Sequence, residues 1–321
     1  MLDMVGIIII NYNNWQDTIN CINSLEIYNS YPIKIVVVDN GSKNESVESL
    51  NCYFSQKYNG RYKLTTKLDK GILPYISLVD NKVNEGYARG NNVGLLYTLY
   101  DESITDILIL NNDILFVEDI IPSLLNIKKR YPDSAIITPL LLTKDGVGID
   151  YTCARRQYTV QEEIIYNFLH YLFPQYVDKK LSKRYMLLGN NLKESVIPIQ
   201  VPSGSCMLMD KTFFKSINFF DPNTFLYWEE SILYEKIKSK YRQNYLNTEV
   251  KCIHLGGAST SKSVNSRFCL KCGNHSARYF MKNYSNCGMG WFLLFYVSTM
   301  FNNMMFEVMA ILNKLKCIYG R

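Results

Sequence analysis

The chain has 321 residues, 47% of them hydrophobic, and carries 35 Lys and Arg against 29 Asp and Glu for a formal charge of +6. That length and apolar fraction support a sizeable core and exclude a disordered or fibrous protein, while the mild basic excess suits anionic ligands or an anionic membrane face and falls short of a dedicated nucleic-acid binder. Nine cysteines, an odd number without framework spacing, point to reducing, cytoplasmic surroundings, and the start of the chain lacks the marks of a signal peptide.

Val5 to Ile10 is an unbroken apolar run that ends in Asn11-Tyr-Asn-Asn14, as a strand buried on both faces does. Trp15, Ile19, Ile22 and Leu25 then recur at a helical period, and Ile33-Lys-Ile-Val-Val-Val-Asp39 is a second strand closed by Asn40-Gly41-Ser42. Strand, helix, strand of this kind is a βαβ unit. Tyr53 to Pro74 reads as a small insertion with Asn59-Gly60 as a hairpin turn. Ile76 to Val79 is a strand leading into Asn84-Glu-Gly-Tyr-Ala-Arg-Gly-Asn-Asn-Val-Gly94 and a helix towards Tyr100. Asp106-Ile-Leu-Ile-Leu-Asn-Asn-Asp113 is the central strand, delivering two amides and a carboxylate past its carboxyl end, where open α/β sheets bind ligands.

Glu118 to Tyr131 is expected as helix, Ser134 to Leu142 as strand, and Tyr158 to Leu188 as an aromatic, basic helical insertion. Basic clusters such as Lys128-Lys129-Arg130, Arg155-Arg156 and Lys179-Lys180 read mostly as solvated helix faces. Strands follow at Ile197 to Val201, at Gly204 to Met209 and at Val250 to His254; Asp210 caps a short helix. Between them, Phe219 to Trp228 is an aromatic loop bringing Glu229 and Glu230 to the start of a helix. Capping explains acids in a first turn, but not two adjacent ones after such a loop. Cys269, Cys272 and His275, with Cys252 and His254, raise a zinc site, against which stand a single customary Cys spacing and a helical Arg267 to Tyr284. Trp291 to Leu312 is strongly apolar with a narrow polar stripe of Ser298, Thr299, Asn302, Asn303 and Glu307. An in-plane membrane-surface helix is the preferred reading, and packing on the catalytic domain or in a homodimer is the plainer one.

Seven segments occur in an order that is as telling as their residues: Ile-Ile-Asn11-Tyr-Asn, Val-Val-Asp39-Asn-Gly-Ser, Asn84 to Gly94, Leu-Asn-Asn-Asp113, Gly204-Ser-Cys-Met-Leu, Phe-Leu-Tyr-Trp-Glu-Glu230 and His254-Leu-Gly-Gly-Ala-Ser. Together they resemble a family 2 glycosyltransferase of the GT-A fold, in the branch with bacterial rhamnosyl- and galactofuranosyltransferases. The resemblance implies an α/β fold with a Rossmann-like, mostly parallel central sheet flanked by helices. It divides the chain into a nucleotide-sugar-dependent domain over 1–265, with a helical insertion at about 155–190, and a C-terminal helical region over 266–321.

By the same resemblance, Asn11 and Tyr12 border the nucleotide base and Asp39 bonds base or ribose. A loop with Asn84, Gly86, Arg89, Gly90 and Asn92 covers the nucleotide and sugar, and Asn112 joins that set. Asp113, with His254, holds a divalent Mg²⁺ or Mn²⁺; Asn111 stands where the family's metal motif has its first acid, which leaves Asp113 its only anion. Glu230 occupies the base position, usually Asp, and Glu229 orients the acceptor or exchanges roles with it. Trp228 and Gly204 line the acceptor side, and Lys262 and Arg267 close over the diphosphate. Where the family often has a further acid, this chain has Ser231 and Ile232.

The chemistry asks for these residue types: a cation to neutralise the leaving diphosphate and a carboxylate to take the acceptor proton as the new bond forms. The expected protein is an inverting glycosyltransferase at the inner face of the cell membrane. It would use a dTDP-rhamnose-like or UDP-hexose donor and a saccharide or lipid-linked acceptor for cell-surface polysaccharide. The alternative is a nucleotide-sugar-binding protein of the same fold without turnover. A dinucleotide oxidoreductase lacks its G-x-G-x-x-G after the first strand, and no nucleic-acid motif is present.

Overall fold

The computed structural model describes residues 3–68, 70–188, 192, 194–256 and 266–319. In chain order the elements are β1 (Met4–Asn11), α1 (Trp15–Tyr28), β2 (Ile33–Asp39), α2 (Ser46–Lys57), β3 (Tyr62–Thr65), β4 (Ile76–Asp80), α3 (Gly86–Leu99), β5 (Ile104–Asn111), β6 (Ile114–Phe116), α4 (Ile121–Arg130) and β7 (Ser134–Leu142). They continue with β8 (Ala154–Arg155), α5 (Val160–Leu169), α6 (Pro174–Leu181), β9 (Val196–Ile199), β10 (Val201–Pro202), β11 (Cys206–Asp210), α7 (Lys211–Ser216), α8 (Glu229–Lys238), β12 (Gln243–His254), α9 (Ser266–Asn283) and α10 (Met289–Tyr319).

Among the described residues ten strands form a mixed sheet in the order β3-β4-β2-β1-β5-β11-β7-β12-β6, with β9 also on β12. From β3 to β5 every neighbour is parallel. β11 then enters antiparallel between β5 and β7, and β12 runs parallel to β7. Side chains alternate across the sheet, so each inner strand feeds two cores. Ile7, Ile9, Ile35, Val37, Leu108 and Leu110 meet α1, α2 and α4 on one face. Ile8, Val36, Val38, Ile107 and Ile109 meet α3, α7 and α8 on the other. Burial on both faces is why these strands are apolar without alternation. It also leaves their carboxyl ends as the first place where polar side chains emerge, with Asn11 opposite Asp39 and Ile10 opposite Asn111.

Three expectations change. Asn59-Gly60 is not a hairpin turn: Leu50 and Phe54 bury one face of α2 just before it, and β3 beyond it runs parallel to β4. The strand expected only from Val250 begins at Gln243, hidden by buried polar residues whose hydrogen bonds are internal. Asn244 bonds Ile136 N and Gln200 O, and Asn247 bonds Ser123. Two basic clusters are not simply solvated. Lys128 pairs with Asp106 and Asp210, and the Arg155 side chain is only 17% exposed.

A third core joins α5, α9 and α10 through Val160, Ile164, Ala277, Phe280, Met281 and Phe295. The polar stripe of α10 faces this body: Ser298, Thr299 and Asn302 are buried, and Asn167 bonds Ser298, Arg278 bonds Thr299 and Asn274 bonds Asn303. Phe295 also packs inward, while the apolar residues of the opposite face point outward, with Leu293 57%, Val297 54% and Met300 57% exposed. Among the described residues no helix is long and apolar enough to cross a membrane.

Candidate active site

At the end of β1 and β2 the polar residues first satisfy one another. Asp39 is fully buried and accepts from Asn11 Nδ2 at 2.7 Å, from Ser42 N at 2.9 Å and from Ser42 Oγ at 2.7 Å. An ionised carboxylate has about four acceptor positions, so one remains for a ligand. Asn11 Oδ1 accepts from Thr18, and Tyr12 stands half-buried beside this cluster. Asn112, buried, donates to Asn14 O and Thr18 Oγ1 and so ties the end of β5 to α1.

The segment read as a loop over the nucleotide is helix from Gly86 onward. Asn84 Oδ1 accepts from Asn40 Nδ2 and Gly86 N, and Gly90 lies against Ile10 and Asn40. Gly86 has φ +84°, and a Cβ there would sit 2.2 Å from Phe225 O, the carbonyl that accepts from Tyr87 N. Only glycine admits that approach. Arg89 Nε donates to Pro222 O, and Asn92 bonds both N and O of Phe220. These side chains therefore clamp the loop from Phe219 to Trp228 onto α3.

That clamp aims the two glutamates. Tyr227 (φ 69°) and Trp228 (φ 73°) are bulky residues in the left-handed region, each costing on the order of 1 kcal/mol or more. The turn they make starts α8 at Glu229. Glu229 is buried, with one carboxyl oxygen unpartnered among the described residues. Burial pushes its carboxyl up from the usual range, and the neighbouring Glu230 carboxylate adds to the effect. Glu230 instead accepts from Gly204 N at 3.0 Å, lies 3.8 Å from the Arg155 guanidinium and lines a cavity of about 300 Å³. A Cβ at Gly204 would come within 2.9 Å of that carboxylate, so glycine is what lets Glu230 reach the backbone. Trp228 packs on Phe280 at 5.0 Å and edge-on to Tyr158, lining the same cavity.

Beside Gly204, Ser205 Oγ is 3.3 Å from His254 Nε2, and the same nitrogen is 3.6 Å from Asp113 Oδ1. His254 Nδ1 is held by Asp150 at 2.7 Å, the arrangement that orients a metal-ligating imidazole. Burial opposes charge on His254, but the Asp150 bond and the Asp113 and Asp150 carboxylates outweigh it and raise its pKa. Asn111 Oδ1 is buried without a partner among the described residues, and Asn111 Nδ2 bonds Ser205. Among the described residues no cluster of three or more His, Cys, Asp or Glu stands ready for a metal. One carboxylate and one imidazole suit a cation shared with a ligand's phosphates better than a closed protein cage. As for zinc, Cys252 is buried against Cys206, while Cys269 and Cys272 lie near Tyr227. Lys262 and positions 257–261 of the glycine-rich segment lie outside the described residues, and Arg267 pairs with Glu307 on α10.

The structure thus brings Glu230, Gly204, Ser205, His254 and Asp113 into one connected group. It adds Arg155, Asp150 and Tyr87, whose hydroxyl donates to Gly204 O at 2.6 Å. Sequence reasoning assigned no role to these three or to Ser205. Tyr87 sat inside a quoted motif, whereas nothing local distinguishes Arg155 or Asp150 from surface charge.

Residues 6–217, more than half of the chain, match Glycosyl transferase family 2. The chain belongs to that family. This glycosyltransferase is 26% identical over 230 residues to the low-salt glycan biosynthesis hexosyltransferase Agl10 of Haloferax volcanii, covering 72% of this chain and 60% of that protein's length. It is 22% identical over 245 residues to the N-acetylglucosaminyl-diphospho-decaprenol L-rhamnosyltransferase of Mycobacterium tuberculosis, covering 74% and 71%. Its fold is that of GalNAc-T7 solved with UDP, GalNAc and Mn²⁺ (TM-score 0.58, 15% identity, 87% of this chain and 48% of that one). It also matches S. aureus TarS 1–349 in complex with UDP (TM-score 0.51, 11% identity, 92% and 70%). The chain therefore has the GT-A fold expected from its motifs, and the family it belongs to is one of glycosyltransferases.

Proposed function

We propose that the chain transfers a hexose or deoxyhexose with inversion from a nucleoside-diphosphate sugar to a hydroxyl of a saccharide, with Glu230 as the base. The observation that carries this reading is the placement of Glu230. It is held by Gly204 N beside a cavity, one residue along the chain from Ser205, which contacts His254, the imidazole that faces Asp113. Asn11, Tyr12 and Asp39 would border the nucleoside. Asp113 and His254 would hold Mg²⁺ or Mn²⁺ with the diphosphate, and the cation supplies charge neutralisation on the leaving group. Glu230 takes the proton from the acceptor hydroxyl as its oxygen bonds the anomeric carbon. The carbon–oxygen bond to the diphosphate breaks with its electron pair on the departing oxygen, and Arg155 keeps Glu230 oriented until the proton arrives. Glu229, whose burial disfavours its charge, fixes the start of α8.

Thermal stabilisation by a panel of UDP and dTDP compounds, with and without Mn²⁺, tests the donor site. A ligand at 100 times its Kd contributes about 2.7 kcal/mol, a rise of several degrees in Tm. A rise that grows with Mn²⁺ is expected for at least one nucleotide; no rise with any of them removes the reading.

The acceptor we propose is lipid-linked, at the inner face of a membrane. The outward apolar face of α10, with exposed Lys271, Lys282 and Lys314 nearby, fits an anionic bilayer surface. Buried free Cys21, Cys153, Cys206 and Cys252 fit a reducing compartment. The protein is expected to float with phosphatidylcholine–phosphatidylglycerol vesicles. Leu293→Glu/Val297→Glu/Met300→Glu should abolish flotation without changing the donor-dependent Tm shift. A wild type that stays unbound, or dimerises through this face, overturns the membrane assignment.

A further inference from the structure

Two cavities meet beside the reacting centre. The one that Glu230 lines holds Arg155, Tyr158 and Arg184. The second, of about 410 Å³, lies between α5, α9 and α10, and both are lined by Glu163, Tyr166, Tyr227 and Trp228. Each volume is that of a small-ligand site. The second cavity has aromatic walls, Tyr166, Trp228 and Phe295, and amides on facing helices, Asn167, Asn274 and Asn302. Asn302 is 3% exposed, and its Oδ1 has no hydrogen-bond partner among the described residues. A buried amide oxygen without a donor is costly, and a ligand hydroxyl supplies the donor.

We infer that this second cavity is an acceptor subsite for a second sugar residue, one unit away from the hydroxyl that reacts at Glu230. Flat rings flanked by amides match the chemistry of a pyranose, whose apolar faces stack and whose rim hydroxyls both donate and accept. A hydrocarbon chain is the poorer occupant, since it would seal Asn302 Oδ1 away from any donor. The strained pair Tyr227 and Trp228 forms the shared wall, so the turn that aims Glu230 also touches both sugars. The inference rests on the glycosyltransferase reading and deepens it: the enzyme takes at least a disaccharide end, presented from the α10 side.

The test uses matched alkyl monosaccharide and disaccharide glycosides of glucose, galactose, N-acetylglucosamine and rhamnose, with the donor chosen by thermal shift. In the wild type the second sugar should lower KM at least tenfold for one pair. Asn302→Leu removes the amide, and Gly273→Leu fills the cavity from a position where a Cβ meets Tyr227 at 3.4 Å. Both should erase that gain with the donor-dependent Tm shift unchanged, and in Asn302→Leu, which is remote from the turn that aims Glu230, kcat on the monosaccharide glycoside should also stay unchanged. If no disaccharide outperforms its partner, or the gain survives both variants, the subsite is overturned. A failed glycosyltransferase reading looks different: no transfer to either member of any pair and no donor-dependent shift.

Discussion

Glu230→Gln is expected to lower turnover by about 10²- to 10⁴-fold, the range that general-base catalysis contributes. The change keeps the side chain's length and an oxygen able to accept from Gly204 N, whose hydrogen bond is 3.0 Å in the wild type. Fold and donor binding should therefore persist, seen as an unchanged donor-dependent Tm shift. Glu229→Gln is the control. Its wild-type carboxyl is buried and pushed up, so a neutral amide there copies the favoured form and activity should stay within about threefold. The opposite ranking of the two variants would transfer the base to Glu229. Full activity of Glu230→Gln, measured by nucleoside diphosphate release, would remove a base from this position altogether.

Asp113→Ala should be as damaging for a different reason. Asp113 and His254 face each other at 3.6 Å, and His254 is backed by Asp150, so the carboxylate is the only anion there that directly faces His254 Nε2 among the described residues. Losing several kcal/mol of charge stabilisation on the leaving group corresponds to about 10²-fold or more in transfer rate. A readout separate from activity is the Mn²⁺-dependent part of the donor Tm shift, which should vanish while a metal-independent nucleoside contribution remains. An Asp113→Ala protein that keeps the full Mn²⁺ effect would place the cation elsewhere. Asp150→Asn should show a milder version, since it loosens the imidazole without removing a ligand.

Much of this site was legible because of where buried parallel strands must stop. Asn11, Asp39 and Asp113 follow unbroken apolar runs, and a polar residue at that point can only be at the ligand-binding edge of the sheet. The finer roles were not legible. Asn112, Arg89 and Asn92 have side chains suited to a nucleotide sugar, yet they spend hydrogen bonds on Asn14, Pro222 and Phe220, holding the scaffold that aims the glutamates. Arg155 read as surface charge because its partner, Glu230, is far along the chain, and only the fold closes that gap.

Local pattern alone determined the βαβ alternation, the double-sided cores and the order of motifs that places the chain in its family. Each depends on contacts or periods within a few residues, or on strand ends common to the fold. Tertiary structure decided which face of α10 turns inward, because a helix with one polar and one apolar stripe fits either environment until a partner is present. Asn167, Asn274 and Arg278 supply that partner for the polar stripe and leave the apolar one outside. Tertiary structure also decided the pairing of Glu230 with Gly204 and the joined cavities beside it, since these need the loop from Phe219 to Trp228, α3, α5 and α9 to meet at one point in space.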